Sequence, residues 1–310
     1  MPPAGARERR GSQHPAEAIE PVTAPRRLAL RPGERLRGYT IIREVGRGAM
    51  ATVYQARQDA NDSIAALKVL TMAPDGLEGL DDARLRLLRE AEAAGRIQHP
   101  DVVQVIEAGE ERGFVFLAME FVEGVCLATH TTEGHLLPPR MVVQMCARVA
   151  ECLAFAHARG VVHRDIKPAN IVFDQKNRRV RVMDFGVARL TDSSATRTGI
   201  ILGSPSYMAP EQFDGRPLTG CADLFSLGVT LFQLLTAQLP FRADSIPRLM
   251  TRIATEPHPP LATIRPDLPA TLGRVLDRAL EKDALRRYAT GGEMAVALND
   301  AARDIPAGLR

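Results

Sequence analysis

The chain has 310 residues, 45% of them hydrophobic and 25% charged, which suits a globular protein with one large domain or two lobes. Its formal net charge is +3. Residues 1–38 hold eight arginines and four glutamates, so this segment carries the excess positive charge and the remainder is close to neutral. A nucleic-acid-binding protein needs a basic face within its folded domain, so the charge pattern argues against that class.

The cysteine content and the apolar stretches indicate a reduced, cytoplasmic protein without a membrane span. Residues 1–30 lack the apolar core of a signal peptide. The most apolar stretch, residues 224–241, is interrupted by polar side chains, which favours a buried core helix over a membrane helix. The cysteines show no metal-ligand spacing and are expected to be free thiols: Cys126, Cys146, Cys152 and Cys221.

The first segment, residues 1–37, is rich in Pro and Arg without periodicity and is predicted to be a disordered basic tail. Two interpretations stay open for it, a solvated leader without a role and a docking or regulatory segment. The next segment, residues 38–121, alternates between apolar and polar residues and predicts strands in YTIIREV, ATVYQA, SIAALKVL, VVQVIEAG and FVFLAME. Helical spacing of apolar residues predicts one helix among these strands, at residues 81–97.

The rest of the chain is mostly helical. Helix patterns predict helices over 141–160, 222–237, 270–281 and 291–302. Short strands are predicted at 171–174 and 179–183. The sequence therefore predicts an α+β protein with a small antiparallel β lobe containing one helix (38–121), a larger helical lobe (122–303) and a C-terminal tail (304–310).

A glycine-rich segment, EVGRGAMATVYQA at residues 44–56, lies among the first strands. Gly46 and Gly48 would let the backbone approach phosphate oxygens closely, although a plain hairpin has the same pattern. Lys68 follows in an apolar strand, where it could face solvent or an anion, and Glu90 on the predicted helix is its candidate partner.

The stretch VVHRDIKPANIVF, residues 161–173, places polar residues between apolar flanks, where unpaired charge would be costly. Asn170 and Asp184 carry the hard oxygen ligands that Mg²⁺ prefers. Asp165 could accept a hydroxyl proton, and Lys167 could neutralise the charge on a phosphoryl group. This set of groups suits phosphoryl transfer, because that chemistry depends on positioning and electrostatics.

These motifs together resemble a protein kinase catalytic domain across residues 38–302. GRGAMATV, AALK, a helix glutamate, HRDIKPAN, DFG and APE occur in the family's order. REAEAAGRIQHPDVV, AFAHARGVVHRDIKPANIV and GSPSYMAPEQ are similar in particular to bacterial eukaryotic-like (Hanks-type) Ser/Thr kinases. The resemblance implies a bilobal kinase fold, ATP with Mg²⁺ or Mn²⁺ as cofactors, and transfer of the γ-phosphate to Ser or Thr of a protein.

The resemblance also assigns site residues. Lys68 would contact the α- and β-phosphates and pair with Glu90. The expected ATP-binding residues are Val45, Gly46, Arg47, Gly48, Val53, Ala66, Lys68, Met119, Glu120, Val122 and Val172. Among them, Glu120 and Val122 would offer backbone hydrogen bonds to adenine, and Met119 would limit the depth of the pocket.

In the large lobe, the resemblance implies that Asp165 orients and deprotonates the substrate hydroxyl while Lys167 contacts the γ-phosphate. Asn170 and Asp184 would hold the Mg²⁺ ions. Structural roles are implied for five residues, of which Glu211 and Arg287 would form an ion pair: His163, Arg164, Glu211, Asp223 and Arg287.

The segment ARLTDSSATRTGIILG is implied to be an activation loop, with Thr196 and Thr198 as the expected phosphorylation sites. A phosphate there would add negative charge that could pair with Arg164. HRDIKPAN and MAPEQ favour a protein Ser/Thr substrate, and Ser204 is expected near the residue that follows the target hydroxyl.

The sequence departs from the family pattern at Ala51, which replaces the third loop glycine, and at Ala94, which is smaller than usual. Two other functions stay open, a pseudokinase-like scaffold and a small-molecule kinase. The complete set of catalytic residues argues against the scaffold, and MAPEQ argues against a small-molecule substrate. The family further suggests a cognate PPM-type (metal-dependent) phosphatase and a homodimer through the small lobe as partners.

Overall fold

The structure of the chain is a computed structural model. It describes residues 29–48, 51–70, 91, 95, 97–174, 176–185, 205–213 and 218–309. These residues form a small lobe built on an antiparallel sheet and a larger lobe built mainly of helices. The α+β, bilobal architecture expected from the sequence is therefore confirmed.

The small lobe contains a six-stranded antiparallel sheet with the strand order β1-β2-β3-β4-β6-β5. Its strands are β1 (Arg35–Leu36), β2 (Tyr39–Arg47), β3 (Ala51–Gln58), β4 (Ile64–Leu70), β5 (Val105–Glu111) and β6 (Phe114–Glu120). Since side chains alternate between the two faces of a strand, each face has its own apolar cluster. Tyr54 and Leu67 belong to one cluster, and Ala66 and Met119 belong to the other.

The register of the sheet places Lys68 at the centre of the lobe. Lys68 is opposite Val53 on one neighbouring strand and opposite Leu117 on the other. Ala66, two residues earlier on the same strand, is opposite Met119. Residues two apart on a strand point to the same face, so Lys68 and Ala66 share the face that the sequence assigned to ATP.

Two predictions for this lobe need correction. The predicted tail ended at residue 37, but Arg35–Leu36 pair with β2, and Leu36 is fully buried. A two-residue strand is too short to produce a periodic pattern, so the sequence could not mark it. The glycine-rich pattern predicts a loop between strands at Gly46, whereas β2 continues through this residue to Arg47.

The helix predicted at residues 81–97 lies mostly outside the described residues. Ala91 and Gly95 are helical, and Ile97 is fully buried. Glu90 and Ala94 are not among the described residues.

The large lobe combines helices with a three-stranded sheet of order β7-β8-β9. Its strands are β7 (Val125–Cys126), β8 (Ile171–Asp174) and β9 (Arg179–Val182). The α-helices among the residues the structure describes here are α1 (Pro139–His157), α2 (Gly220–Thr236), α3 (Ile246–Thr255), α4 (Leu261–Ile264), α5 (Ala270–Ala279) and α6 (Gly291–Asp304). Four of these helices were predicted. The short β7, α3 and α4 were not, since α3 buries only Leu249 and Ile253.

Helix α2 is the centre of the large lobe. From Ala222 to Thr236 every residue except Gln233 is buried, and this explains why its sequence is apolar on all sides. The prediction of a buried core helix is confirmed. Within the described ranges, we find no helix with the length and apolar character needed to cross a membrane.

Helices α1 and α6 meet at Gly291, the first residue of α6. A Cβ atom at this position would lie 2.1 Å from the carbonyl oxygen of Ala150 and 2.9 Å from the amide nitrogen of Ala154. Glycine is therefore required by the close approach of two backbones. This contact fixes the start of α6 on α1, the helix that leads into residues 161–173, the segment with the predicted catalytic residues (the catalytic segment).

Candidate active site

The segment between α1 and β8 brings three of the predicted site side chains into direct contact, two predicted to be catalytic and one predicted to bind metal. Lys167 Nζ lies 2.7 Å from Asp165 Oδ2. Asn170 Nδ2 donates to the backbone carbonyl of Asp165 at 2.8 Å and to its Oδ2 at 3.1 Å. The Asp165 side chain is still 31% exposed, so its carboxylate is held in place while it remains accessible to a substrate hydroxyl.

Asp223 of α2 shapes the backbone just before Asp165. Its carboxylate is fully buried and accepts hydrogen bonds from the amides of His163 and Arg164, both at 2.7 Å. His157 Nε2 lies 2.8 Å from the same carboxylate. Arg164 has a left-handed φ of 66°, which is unfavourable for a non-glycine residue and persists only where neighbouring groups hold it.

His163 is buried and fully hydrogen-bonded. Its Nε2 lies 2.9 Å from the carbonyl oxygen of Met183, and its Nδ1 accepts from the amide of Asp165 at 3.3 Å. A carbonyl oxygen can only accept, so Nε2 is the donor of this hydrogen bond. Both ring nitrogens therefore form hydrogen bonds with backbone groups, which supports a structural role for His163.

A second cluster joins the small lobe to the end of β9. Lys68 Nζ lies 3.0 Å from Asp184 Oδ1, and both side chains are less than one-third exposed. The amide of Met183 donates to the carbonyl oxygen of Asn170 at 2.9 Å, so the backbones that carry Asn170 and Asp184 are directly connected. Glu90, the expected partner of Lys68, lies outside the described residues.

The residues expected to bind adenine are apolar and come from both lobes. Ala66 and Met119 are 8% and 7% exposed in the small lobe, and Val172 of β8 is 8% exposed in the large lobe. Val53 and Val122 are partly buried and pack against the cluster of Ala66 and Met119.

The link between β6 and the large lobe passes close to β8. A Cβ atom on Gly124 would lie 2.8 Å from both Val172 Cγ1 and the carbonyl oxygen of Phe173. Glycine at this position therefore lets the linker reach Val172, which the resemblance places among the ATP-binding residues.

The predicted glycine-rich residues lie at the end of β2 and in the connection to β3. Val45 is 45% exposed, and Arg47 pairs with Glu44 at 2.8 Å. The amide of Gly48 donates to the carbonyl oxygen of Ala51 at 2.8 Å. The two residues between Gly48 and Ala51 are outside the described part of the chain.

Glu120, predicted to serve only through its backbone, also binds a side chain. Arg181 of β9 forms an ion pair with the Glu120 carboxylate and donates to the carbonyl oxygen of Val102 at 2.9 Å. This contact ties the end of β6 to the strand that leads into Asp184. Sequence reasoning missed Arg181, since it lies 61 residues from Glu120 and looks like an ordinary exposed position in RVRV.

Glu211 and Arg287 form the ion pair that the sequence led us to expect. The guanidinium of Arg287 donates to the two carboxylate oxygens of Glu211 at 2.7 and 2.9 Å. Arg287 is 2% exposed and also donates to the carbonyl oxygens of Glu281, Lys282 and Cys221. Its buried charge is therefore fully paired.

Three predicted residues of the following loop lie outside the described part of the chain: Thr196, Thr198 and Ser204. Sequence reasoning also gave no role to His157 or to Gln212 of MAPEQ. His157 binds Asp223 as described above, and Gln212 donates to the carbonyl oxygen of Arg164 at 3.1 Å. Neither contact has a local sequence signal, because the partners are 66 and 48 residues apart.

Comparison with known proteins gives a consistent result. Residues 39–295 match the protein kinase domain family. Serine/threonine-protein kinase pkn3 of Myxococcus xanthus is 38% identical over 81% of this chain and 48% of its own length. PrkC of Bacillus subtilis (strain 168), also a serine/threonine-protein kinase, is 34% identical over 84% of this chain and 40% of its own length. The chain thus spans less than half of these relatives.

A solved structure supports the fold. The crystal structure of Rad53 1-466 in complex with AMP-PNP aligns with a TM-score of 0.68 at 24% identity, covering 86% of this chain and 65% of that chain. The family match over most of the chain, together with relatives above 30% identity, shows that the chain belongs to the protein kinase family and is related to its bacterial serine/threonine members.

Proposed function

We propose that the chain is an ATP-dependent Ser/Thr protein kinase. The observation that carries this proposal is the contact among Asp165, Lys167 and Asn170 beside the Lys68–Asp184 ion pair. The carboxylate of Asp165 is held in place but accessible, and Lys68 and Lys167 supply two cations. Asn170 and Asp184 supply two oxygen ligands, so the arrangement has the groups that phosphoryl transfer requires. The names of the bacterial relatives support the same conclusion.

ATP would bind between the lobes with adenine among Val53, Ala66, Met119 and Val172. The apolar character of these side chains and their low exposure support this placement. Lys68 would bind the α- and β-phosphates. That the structural neighbour Rad53 was solved with AMP-PNP is consistent with a nucleotide site in this fold.

The donor set fits Mg²⁺. Asp184 offers a carboxylate, and both hydrogen bonds of the Asn170 amide use Nδ2, so its Oδ1 is the atom suited to a metal. Among the described residues no group of three His, Cys, Asp or Glu side chains could hold a metal alone, which suits an ion that takes its remaining ligands from phosphates and water. When bound, Mg²⁺ supplies neutralisation of phosphate charge.

In the reaction, a substrate Ser or Thr hydroxyl oxygen attacks the γ-phosphorus of ATP. The bond to the β–γ bridging oxygen breaks and ADP leaves. Asp165 orients the hydroxyl and takes its proton, and Lys167 stabilises the negative charge on the transferred phosphoryl group. The 2.7 Å contact between Asp165 and Lys167 supports this assignment, because the two groups lie side by side.

The remaining expectations are part of this proposal. Thr196 and Thr198 would be phosphorylated by the kinase itself, and phosphate there would pair with Arg164. We also propose that the boundary between the two lobes lies at residues 121 and 122, with β1 belonging to the small lobe. A cytoplasmic location rests on the four free cysteines. A PPM-type phosphatase and a dimer through the small lobe are proposed on the resemblance alone.

The test is incubation of the purified chain with Mg²⁺ and labelled ATP, beside an Asp165→Asn variant, followed by mapping of phosphosites by mass spectrometry. We expect phosphate on Thr196 or Thr198 in the parent chain. The rate of phosphate transfer should be lower by at least about 100-fold in the variant. Nucleotide binding without transfer to itself or to dephosphorylated casein would overturn the proposal and favour a scaffold.

A further inference from the structure

Gln212 joins the segment that ends in MAPEQ to the catalytic segment through a single side chain. Its Oε1 accepts from the amide of Ala209 at 2.8 Å, and its Nε2 donates to the carbonyl oxygen of Arg164 at 3.1 Å. An amide N–H needs an acceptor and a carbonyl oxygen needs a donor, so only one orientation of the Gln212 amide satisfies both contacts.

The carbonyl that Gln212 binds belongs to the peptide group that leads into Asp165. The amide nitrogen of Arg164 is held by Asp223 at 2.7 Å, and its carbonyl oxygen is held by Gln212. Arg164 has a φ of 66°, so this strained residue is fixed at both ends. A change at either end would rotate the peptide group that sets the position of the Asp165 carboxylate.

The segment that carries Gln212 is itself anchored in the large lobe. Glu211, adjacent to Gln212, is buried in its ion pair with Arg287. In the same segment the carbonyl oxygen of Tyr207 accepts from Ser226 Oγ of α2 at 2.7 Å. Gln212 therefore transmits the position of a well-anchored segment to the catalytic segment.

We propose that Gln212 is a positioning residue for Asp165. Its hydrogen bond to the carbonyl oxygen of Arg164 fixes the position of Asp165 relative to the segment Pro205–Gln212. The inference rests on the proposed kinase function and deepens it. Gln212 touches no reacting atom; it acts through Arg164.

Gln212→Glu and Gln212→Met test this role, because both side chains are close in size to glutamine. Glutamate still accepts from the amide of Ala209 but loses the donor to Arg164, and methionine loses both hydrogen bonds. We expect kcat for transfer to dephosphorylated casein to fall about tenfold in each variant, since a bond that orders the catalytic segment is lost. The KM for ATP and the affinity for an ATP analogue should not change.

The pH profile separates positioning from a general structural effect. A glutamate facing a carbonyl oxygen has a raised pKa, and its protonated form can donate as glutamine does. The kcat of Gln212→Glu relative to the parent chain should therefore recover as the pH falls from about 8 to about 6. The same ratio for Gln212→Met should stay flat.

Gln233→Glu is the matched control. Gln233 Oε1 accepts from the hydroxyl of Tyr207 at 2.5 Å, and a carboxylate can accept the same bond, so its kcat should equal that of the parent chain. Thermal unfolding of all variants shows whether they are folded.

Two results would overturn the inference alone: an active parent chain with unchanged kcat in both Gln212 variants, or equal losses that do not depend on pH. A parent chain that binds nucleotide but transfers no phosphate would remove the proposed function and this inference with it.

Discussion

Arg287 donates to both carboxylate oxygens of Glu211 from a position that is 2% exposed. Removing one partner of a buried ion pair leaves an uncompensated charge. We expect Glu211→Ala to lower the free energy of unfolding by about 3–5 kcal/mol, measured by chemical denaturation.

An exposed ion pair provides the control for this change. Asp300 and Arg303 are 2.9 Å apart with side chains that are 60% and 77% exposed, so Asp300→Ala should cost less than about 1 kcal/mol. Equal stability of the two alanine variants would show that the buried charge of Arg287 does not need Glu211 as its partner.

The Lys68–Asp184 ion pair leads to a prediction about activity. Lys68→Met removes a cation at the site proposed for the phosphates, so kcat/KM should fall by about 10²–10³-fold. Lys176→Met is the matched control, because Lys176 is exposed in the turn between β8 and β9, and its kinetics should be unchanged. Equal kinetics for the two variants would show that Lys68 does not take part in the reaction.

The contact at Gly291 leads to a prediction about stability. Alanine there would place a Cβ atom 2.1 Å from the carbonyl oxygen of Ala150, so α6 must shift away from α1. We expect Gly291→Ala to cost about 3 kcal/mol or more in chemical denaturation.

The next residue supplies the comparison for Gly291. A Cβ atom on Gly292 would have its nearest neighbour at 3.8 Å, so Gly292→Ala should be neutral or stabilising by up to about 1 kcal/mol. Comparable stability changes in both variants would mean that the close contact with Ala150 does not control the stability of this helix start.

Lys282 leads to a prediction about pH. Burial, followed by repulsion from Arg287, lowers the pKa of Lys282 to about 8. Its Nζ donates to the carbonyl oxygen of Ile253 at 2.7 Å and lies 3.8 Å from the centre of the Phe241 ring. Above pH 8 the folded chain binds fewer protons at this site than the unfolded chain, so this residue makes stability rise with pH up to the ordinary lysine pKa.

The comparison is between the parent chain and Lys282→Met, with unfolding measured at several pH values. The parent should gain stability relative to the variant between about pH 8 and pH 10, by no more than about 2 kcal/mol because solvent screens a partly exposed group. A constant difference over this range would show that Lys282 titrates normally.

The elements that could be predicted from the sequence are those with a periodic pattern or a local motif. The long strands of the small lobe and helices α1, α2, α5 and α6 have such patterns, since each buries a regular set of apolar residues. The contact among the predicted site residues could be anticipated because Asp165, Lys167 and Asn170 lie within six residues and meet through one turn of chain.

The remaining parts depend on contacts between distant residues. Asp223 binds His157 and Glu120 binds Arg181, and the partners are 66 and 61 residues apart in the sequence respectively. Hydrogen bonds of this kind follow from the packed fold and leave no local pattern. The two-residue strands β1 and β7 were missed for the different reason that they are too short to show alternation.

The carboxylate of Asp223 connects the catalytic segment to the most deeply buried helix of the large lobe. The amide hydrogens of His163 and Arg164 point at this carboxylate, away from solvent. Exchange of these two hydrogens with deuterium therefore requires α2 to separate from the segment, and such a separation disrupts the hydrophobic core. The backbone beside Asp165 should accordingly exchange as slowly as the core itself, although the carboxylate of Asp165 is accessible to solvent.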